Sequence, residues 1–311
     1  MDKKEILRRL LKEGVMPRPE DLEKLDEITI EDFIKSKISP KHPTPEKIPN
    51  ESVPEISVSV RPVEKNPKLS TQDFTAFYRD RFQRIRDLLI KKVDAISINK
   101  TKNVFSTTSV IGMVKEKTGL GFVLEDETGE IEMVTDQNLE EDDVVAVTGA
   151  IKEGRLFSAD VIYPGIPFNR TTGKLNHVKA FLGNAMPENK TEDVFLIPSN
   201  SIKDEKTVSG FLSPIFFDII KGKSKITLLY YKPAGTTKIK TVEEWLKRRY
   251  IPTSREDVPG PTDPLVLEPI PDVIWLDTEE KERCLHRGAL VVTTGPNGVT
   301  VDLEKKEAEF H

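Results

Sequence analysis

Cys284 and His286 stand two residues apart in the run ERCLHRG. On a strand, side chains at i and i+2 share one face, so a thiol and an imidazole at this spacing could form a nucleophile–base pair. No acid close by in sequence stands ready to orient the imidazole, so a chance pair is the expectation. The other histidines, His42, His177 and His311, share no short motif with it or with one another. One cysteine excludes a disulfide framework and a cysteine-built zinc site. Asp272, Asp277, Glu279 and Glu280 crowd together in sequence, but such clusters are ordinarily solvated loops rather than ion sites. There is no G-x-S-x-G, no P-loop and no G-x-G-x-x-G after a strand. The glycine turn TGLGF at 118–122 has no helix behind it to receive a phosphate.

The elements that must position these groups fall into several segments. The chain has 311 residues, a size that suits two or three domains. It is 37% hydrophobic and 32% charged, with a formal net charge of −5, so its surface as a whole does not attract nucleic acid. No apolar run reaches membrane-spanning length, and the charged N-terminus lacks an apolar signal core. A soluble, cytoplasmic protein is expected.

Residues 2–13 read as a helix. Asp2 caps it, Ile6, Leu7, Leu10 and Leu11 form its apolar stripe, and Gly14 ends it. Two further short helices follow Pro19 and Thr29. Three helices in this space make a small bundle, either a marginal core or a detachable docking module. Residues 39–69 carry seven prolines and read as a linker, within which Ile56, Val58 and Val60 alternate as one short strand able to dock on a neighbour.

A capped helix is expected from Ser70 to about Val93, with Phe74, Phe77, Tyr78, Phe82, Ile85, Leu88 and Leu89 at helical spacing. Its other side carries Arg79, Arg81, Arg84, Arg86, Lys91 and Lys92. Such a face can meet phosphates and more commonly is simply solvated. Between 104 and 163 the period becomes two, giving five short strands with turns at Glu127–Gly129 and Glu153–Gly154. Five strands in so short a span suggest a barrel of the oligonucleotide/oligosaccharide-binding type. From Val93 to Tyr163 six Lys/Arg face fourteen Asp/Glu, a net of −8, which repels a phosphate backbone and favours protein contacts. Residues 178–311 read as mixed α/β. The expected strands are VKAFLG, VFLIP, KITLLYY, PDVIWL and GALVVTT, with GVTVDLE closing a hairpin across Gly295–Gly298. Helices are expected at SPIFFDIIKG and at VEEWLKRRY, the latter capped by Thr241 with Glu244.

The order of these parts, with F-x-x-F-Y-R-D-R-F-x-x-I-R-x-L-L in the long helix and EWLKRRY…DPLVLEPIPDVI later, resembles the small subunit of the archaeal family D DNA polymerase, related to the B subunits of eukaryotic replicative polymerases. The resemblance implies a multidomain α+β chain: a small helical domain at 1–38, a proline-rich linker at 39–69, a helix plus barrel at 70–165, and a shortened, degenerate metallophosphoesterase-like domain at 166–311. In that family the last domain is a calcineurin-like 3′–5′ exonuclease, whose metal pair is held by Asp, His and Asn ligands.

Here the matching positions depart from the pattern. Asn184 and Met186 stand where D-x-H belongs, and five residues between Asn189 and Phe195 replace the segment of the next motif. The G-N-H-D neighbourhood reads Ser199, Asn200, Ser201, Ile202, keeping only Asn200. Tyr231 stands for a lone histidine, and Thr278 and Glu280 stand for the last two. An amide and a thioether cannot replace carboxylate and imidazole at a hydrolytic metal pair. The resemblance therefore implies no catalytic residue, no metal and no cofactor. It implies an accessory subunit that binds the large catalytic subunit, reaches another replisome protein through its N-terminal helices, and touches DNA weakly or indirectly. Two rivals come from other classes: a free-standing single-strand-binding barrel protein, and a phosphoesterase with rearranged ligands.

Overall fold

A computed structural model describes residues 55–62, 69–104, 106–198, 206–211, 213–233, 237–252 and 260–311, together with Glu5–Leu7 and Leu10. The chain divides into two compact units, Met1–Pro54 and Glu55–His311. In the first, Glu5–Leu7 are helical and Ile6 and Leu10 are buried. The helices expected after Pro19 and Thr29 lie outside the described residues, as does most of the proline-rich stretch.

The second unit is mixed α+β, built mostly of strands in several sheets with few helices. It opens with β1 (Ile56–Pro62), the short strand anticipated from its alternation. Helix α1 (Thr71–Leu89) follows. The Ser70 hydroxyl accepts from the Asp73 N–H at 3.2 Å, and the Asp73 carboxylate accepts from the Ser70 N–H at 2.7 Å, so the N-terminus closes as the capping pattern requires. The helix stops at Leu89 rather than Val93.

Five strands come next: β2 (Thr107–Lys117), β3 (Gly121–Asp126), β4 (Gly129–Val134), β5 (Val144–Lys152) and β6 (Arg155–Ile162). They close into a barrel in the order β2-β3-β4-β6-β5. All of its ladders are antiparallel except β4 with β6. Glu153 and Gly154 both take positive φ between paired Lys152 and Arg155, as a two-residue hairpin turn demands. Alternation explains the core: Val145 and Val147 of β5 point inward with Val110, Leu124 and Met133, while Val144 and Ala146 point outward beneath Phe82, Ile85 and Leu89 of α1.

The remaining strands form two packed sheets. They are β7 (Lys179–Leu182), β8 (Val194–Ile197), β9 (Thr207–Ser209), β10 (Ile215–Lys221), β11 (Ser224–Tyr231), β12 (Val273–Leu276), β13 (Arg283–His286), β14 (Ala289–Thr293), β15 (Val299–Asp302) and β16 (Glu307–Phe310). Helix α2 (Ile239–Arg248) lies between β11 and β12 in the chain. One sheet has the order β1-β10-β11-β12-β14-β13, the other β16-β15-β7-β8-β9. Their shared core includes Leu182, Leu196, Phe217, Leu228, Trp275 and Val301. The far face of the six-stranded sheet packs Leu229, Ile274 and Val291 against Val242, Trp245 and Leu246 of α2.

Several expectations are corrected. SPIFFDIIKG is strand β10, not a helix; Ile215, Phe217 and Ile219 enter one core and Phe216 the other, so burial on both faces hides the two-residue period. Helix α2 begins at Ile239 behind Lys238, which makes no side-chain cap bond, so Thr241 and Glu244 do not cap it. Gly295–Gly298 does not close a hairpin. The chain there leaves β14 in one sheet and enters β15 in the other, and β15 pairs with β7 and β16 instead.

The basic face of α1 is also not a uniform solvated surface. Arg81 is 1% exposed, and its Nε donates to Asp263 Oδ2 at 2.6 Å. Its guanidinium lies 4.3 Å from the Tyr250 ring centroid. Arg84 donates to the Asp263 carbonyl at 2.7 Å, and Lys92 to the Pro164 carbonyl at 2.6 Å. Helical spacing puts Arg81 between Phe77 and Ile85, and only the folded partner supplies the carboxylate that lets it stay there.

Candidate functional site

In a two-sheet body of this kind the candidate centre lies at the carboxyl ends of the parallel strands, where successive loops can bring polar groups together. β11, β12 and β14 run parallel in one sheet, and β7 and β8 run parallel in the other. Asn184 follows β7, Lys232 follows β11, Asp277 follows β12 and Thr294 follows β14. These four converge.

Asp277 is their hub, with a side chain only 5% exposed. Asn184 Nδ2 donates to its Oδ1 at 3.1 Å, Thr294 Oγ1 donates to Oδ1 at 3.3 Å, and Tyr230 Oη donates to Oδ2 at 2.9 Å. Lys232 Nζ lies 3.1 Å from Oδ2. Burial pushes the Asp277 carboxyl up, but the hydrogen bonds from Asn184, Tyr230 and Lys232 outweigh it and hold the group below the usual carboxylate range. Burial and the same carboxylate push the Tyr230 phenol up. Underneath, the Trp275 ring packs tilted at 54° with its centroid 4.5 Å from that of Tyr230, and its Nε1 donates to Thr294 Oγ1 at 2.7 Å, fixing the hydroxyl.

The residues singled out from sequence are mostly dispersed. Asn184 reaches this cluster. Met186 turns to the outer face of the five-stranded sheet and packs on Phe181, Phe195 and Ile197. Tyr231 points its ring at Trp245 of α2, 5.2 Å away, and contributes its carbonyl to the Asp277 N–H at 2.9 Å. Thr278 is half-buried, and its Oγ1 makes no hydrogen bond. Glu280 is exposed. Asn200 and Ser201, with Ser199 and Ile202, lie outside the described residues. Sequence reading did not single out Lys232, Tyr230 or Thr294. The available signal was position: Lys232 directly follows the strand end marked by Tyr231.

The carboxylates close in sequence also separate. Asp272 sits at the start of β12, far from Asp277 along the strand. Its Oδ1 accepts from the Gly173 N–H at 2.9 Å and from Arg170 at 3.0 Å, with Lys306 Nζ at 3.4 Å. It is a structural anchor. Among the described residues, no three His, Cys, Asp or Glu side chains gather as a metal would need.

Cys284 and His286 do share a face of β13, turned to α2. Glu243 Oε1 lies 3.6 Å from Sγ and 3.5 Å from His286 Nδ1. Burial, and the hydrogen bond and charge of Glu243, push the thiol up. The thiol therefore donates its hydrogen bond to a carboxylate rather than to the imidazole, the opposite of what activates a nucleophile.

No family model matches the chain. It is similar to the DNA polymerase II small subunit of Archaeoglobus fulgidus. Over 111 residues the two are 30% identical. The matched stretch spans 32% of this chain and 23% of that subunit, so the chain covers under a quarter of its relative's length. Among the described residues no helix is long and apolar enough to cross a membrane.

Proposed function

We propose that this chain is a non-catalytic accessory subunit of a family D-type DNA polymerase that scaffolds the large catalytic subunit, its exonuclease chemistry lost. The observation that carries the reading is the identity with a polymerase small subunit, joined to the way Asp277 is held. A hydrolytic metal pair needs carboxylates and imidazoles converging on a shared cation. In this chain Asp277 meets Lys232 and a neutral amide, Met186 packs into an apolar cluster, and Tyr231 turns to the opposite face. The one carboxylate at this strand end is ion-paired to a lysine ammonium, with no second carboxylate or imidazole beside it among the described residues.

The strand order β2-β3-β4-β6-β5, with its single parallel pair, supports reading the barrel as the oligonucleotide/oligosaccharide-binding type. Helix, barrel and two-sheet body share one compact unit joined through Arg81, Asp263, Tyr250 and Asp143, which suits a rigid platform. Co-expression with the large subunit of the same genome, followed by light scattering, tests the reading. A stoichiometric complex without Mn²⁺-dependent nuclease activity is expected. A chain that elutes alone, or nuclease activity that disappears in Asp277→Asn, sinks it.

A further inference from the structure

Three cations converge on the loop that leads from β6 to the two-sheet body. Lys92 Nζ donates to the carbonyls of Tyr163 and Pro164 at 3.3 and 2.6 Å. Arg249 donates to the carbonyls of Gly165 and Leu267 at 3.2 and 2.8 Å, and Arg287 Nη1 to that of Ile166 at 3.0 Å. All of these partners are neutral. Burial, then the neighbouring charges of Arg249 and Arg287, hold the Lys92 ammonium below the usual lysine range. Burial lowers Arg249 to about 10 although Glu268 pulls the other way. A cluster of like charge whose hydrogen bonds here go to neutral carbonyls, with the Glu268 carboxylate acting on Arg249, gains when an anion arrives.

The same loop carries Phe168, which is 93% exposed. The Arg287 guanidinium covers one face of its ring, 4.3 Å from the centroid. The other face is open to solvent. An aromatic face beside cations is what single strands use, a base stacking while its phosphates meet the charges. An acidic protein segment would answer the cations but brings a planar group to the ring only where an aromatic or arginine side chain stands beside its carboxylates, whereas every nucleotide carries a base beside its phosphate.

We propose that Phe168, Arg287 and Lys92 form a contact for single-stranded nucleic acid, with a base on the open face of Phe168 and flanking phosphates on Arg287 and Lys92. The contact lies on the loop outside the barrel, whose acidic surface repels phosphate. It goes beyond the accessory-subunit reading and stands independently of it.

The test is fluorescence anisotropy of a labelled oligothymidylate with the full chain across a salt series. Wild-type binding is expected to weaken as salt rises. Phe168→Ala, at a site too exposed to disturb folding, should weaken it about 5- to 150-fold with the salt slope unchanged. Arg287→Ala should lower the slope by about 1. Because Arg287 and Lys92 also hold the loop, thermal melts accompany these variants, and Lys92→Arg should keep binding. No binding at low salt, wild-type binding by Phe168→Ala, or equal competition by a polyglutamate peptide overturns the proposal. Co-elution of Phe168→Ala with the large subunit, measured in parallel, is expected to persist. Its failure in wild type as well would count against the subunit reading and leave this contact standing.

Discussion

Arg81 and Asp263, 182 residues apart, form a buried ion pair with Nε 2.6 Å from Oδ2, both side chains at most 1% exposed. The pair ties α1 to the loop that follows α2, and the Phe77, Tyr78 and Tyr250 rings surround the guanidinium. Asp263 is further fixed because its Oδ1 accepts from the Leu265 N–H at 2.9 Å. A charge in this setting persists only while its partner is present.

Removing one member should therefore cost far more than removing both. Asp263→Ala is expected to lose about 3–5 kcal/mol, whereas Arg81→Met combined with Asp263→Leu should recover most of that. Urea unfolding of the single and double variants measures the difference. Equal losses in both would show that the ion pair itself stabilises the junction and that apolar side chains cannot stand in for it.

Tyr250 spans the same junction through its hydroxyl, which donates to Asp143 Oδ1 at 3.1 Å. Tyr250→Phe keeps the ring under Arg81 and deletes only that bond to a buried carboxylate. A loss of about 1.5–3 kcal/mol is expected in the same assay. A loss near zero would mean that the other groups on that carboxylate, the Glu140 N–H, the Tyr163 hydroxyl and Arg248 with its Nε 3.2 Å from Oδ1, suffice without it.

The pH dependence has a definite sign. Asp277 and Asp218 are both held below their ordinary value of 3.8; for Asp218, burial pushes up and the Thr227 hydroxyl, Arg61 and Lys225 outweigh it. Each contributes stability that is present above 3.8 and lost as pH falls through its lower folded value. Asp143 acts oppositely. Burial raises its carboxyl despite the hydrogen bond from the Glu140 N–H, the charge of Arg248 and the hydrogen bond from Tyr250, so its contribution is fullest below 3.8 and shrinks as pH rises through the folded value. Asp277→Asn should flatten the acid-side fall in the urea midpoint, and an unchanged fall would remove Asp277 as its source.

Asn184→Asp would set a second carboxylate against Asp277 Oδ1, where the amide now donates at 3.1 Å. Two carboxylates at this distance cannot both stay ionised without cost, so one takes a raised pKa. The variant should be less stable than wild type at neutral pH and approach it as the pH is lowered. Thermal melts across pH decide this. Equal stability throughout would show that Lys232 can balance both charges.

Local pattern was enough for much of this protein. The helix at Thr71–Leu89 follows from a period of 3.6, the barrel strands were legible although β5 is buried on both faces, and β1 was legible in three alternating residues. Pattern failed where burial was two-sided, as at β10, and where a turn between sheets looked like a turn within one, as at Gly295–Gly298. The side-chain types at Asn184, Met186, Tyr231, Thr278 and Glu280 were readable residue by residue. Their fates were not. Lys232 meeting Asp277, Met186 joining Phe181, Arg81 buried against Asp263 and Glu243 standing beside Cys284 are all contacts between segments distant in sequence. Hydrophobic periodicity records which face of an element is buried. Which charge meets which across the fold is set only when the sheets and helices pack, because that packing alone fixes the distances on which ion pairs and hydrogen bonds depend.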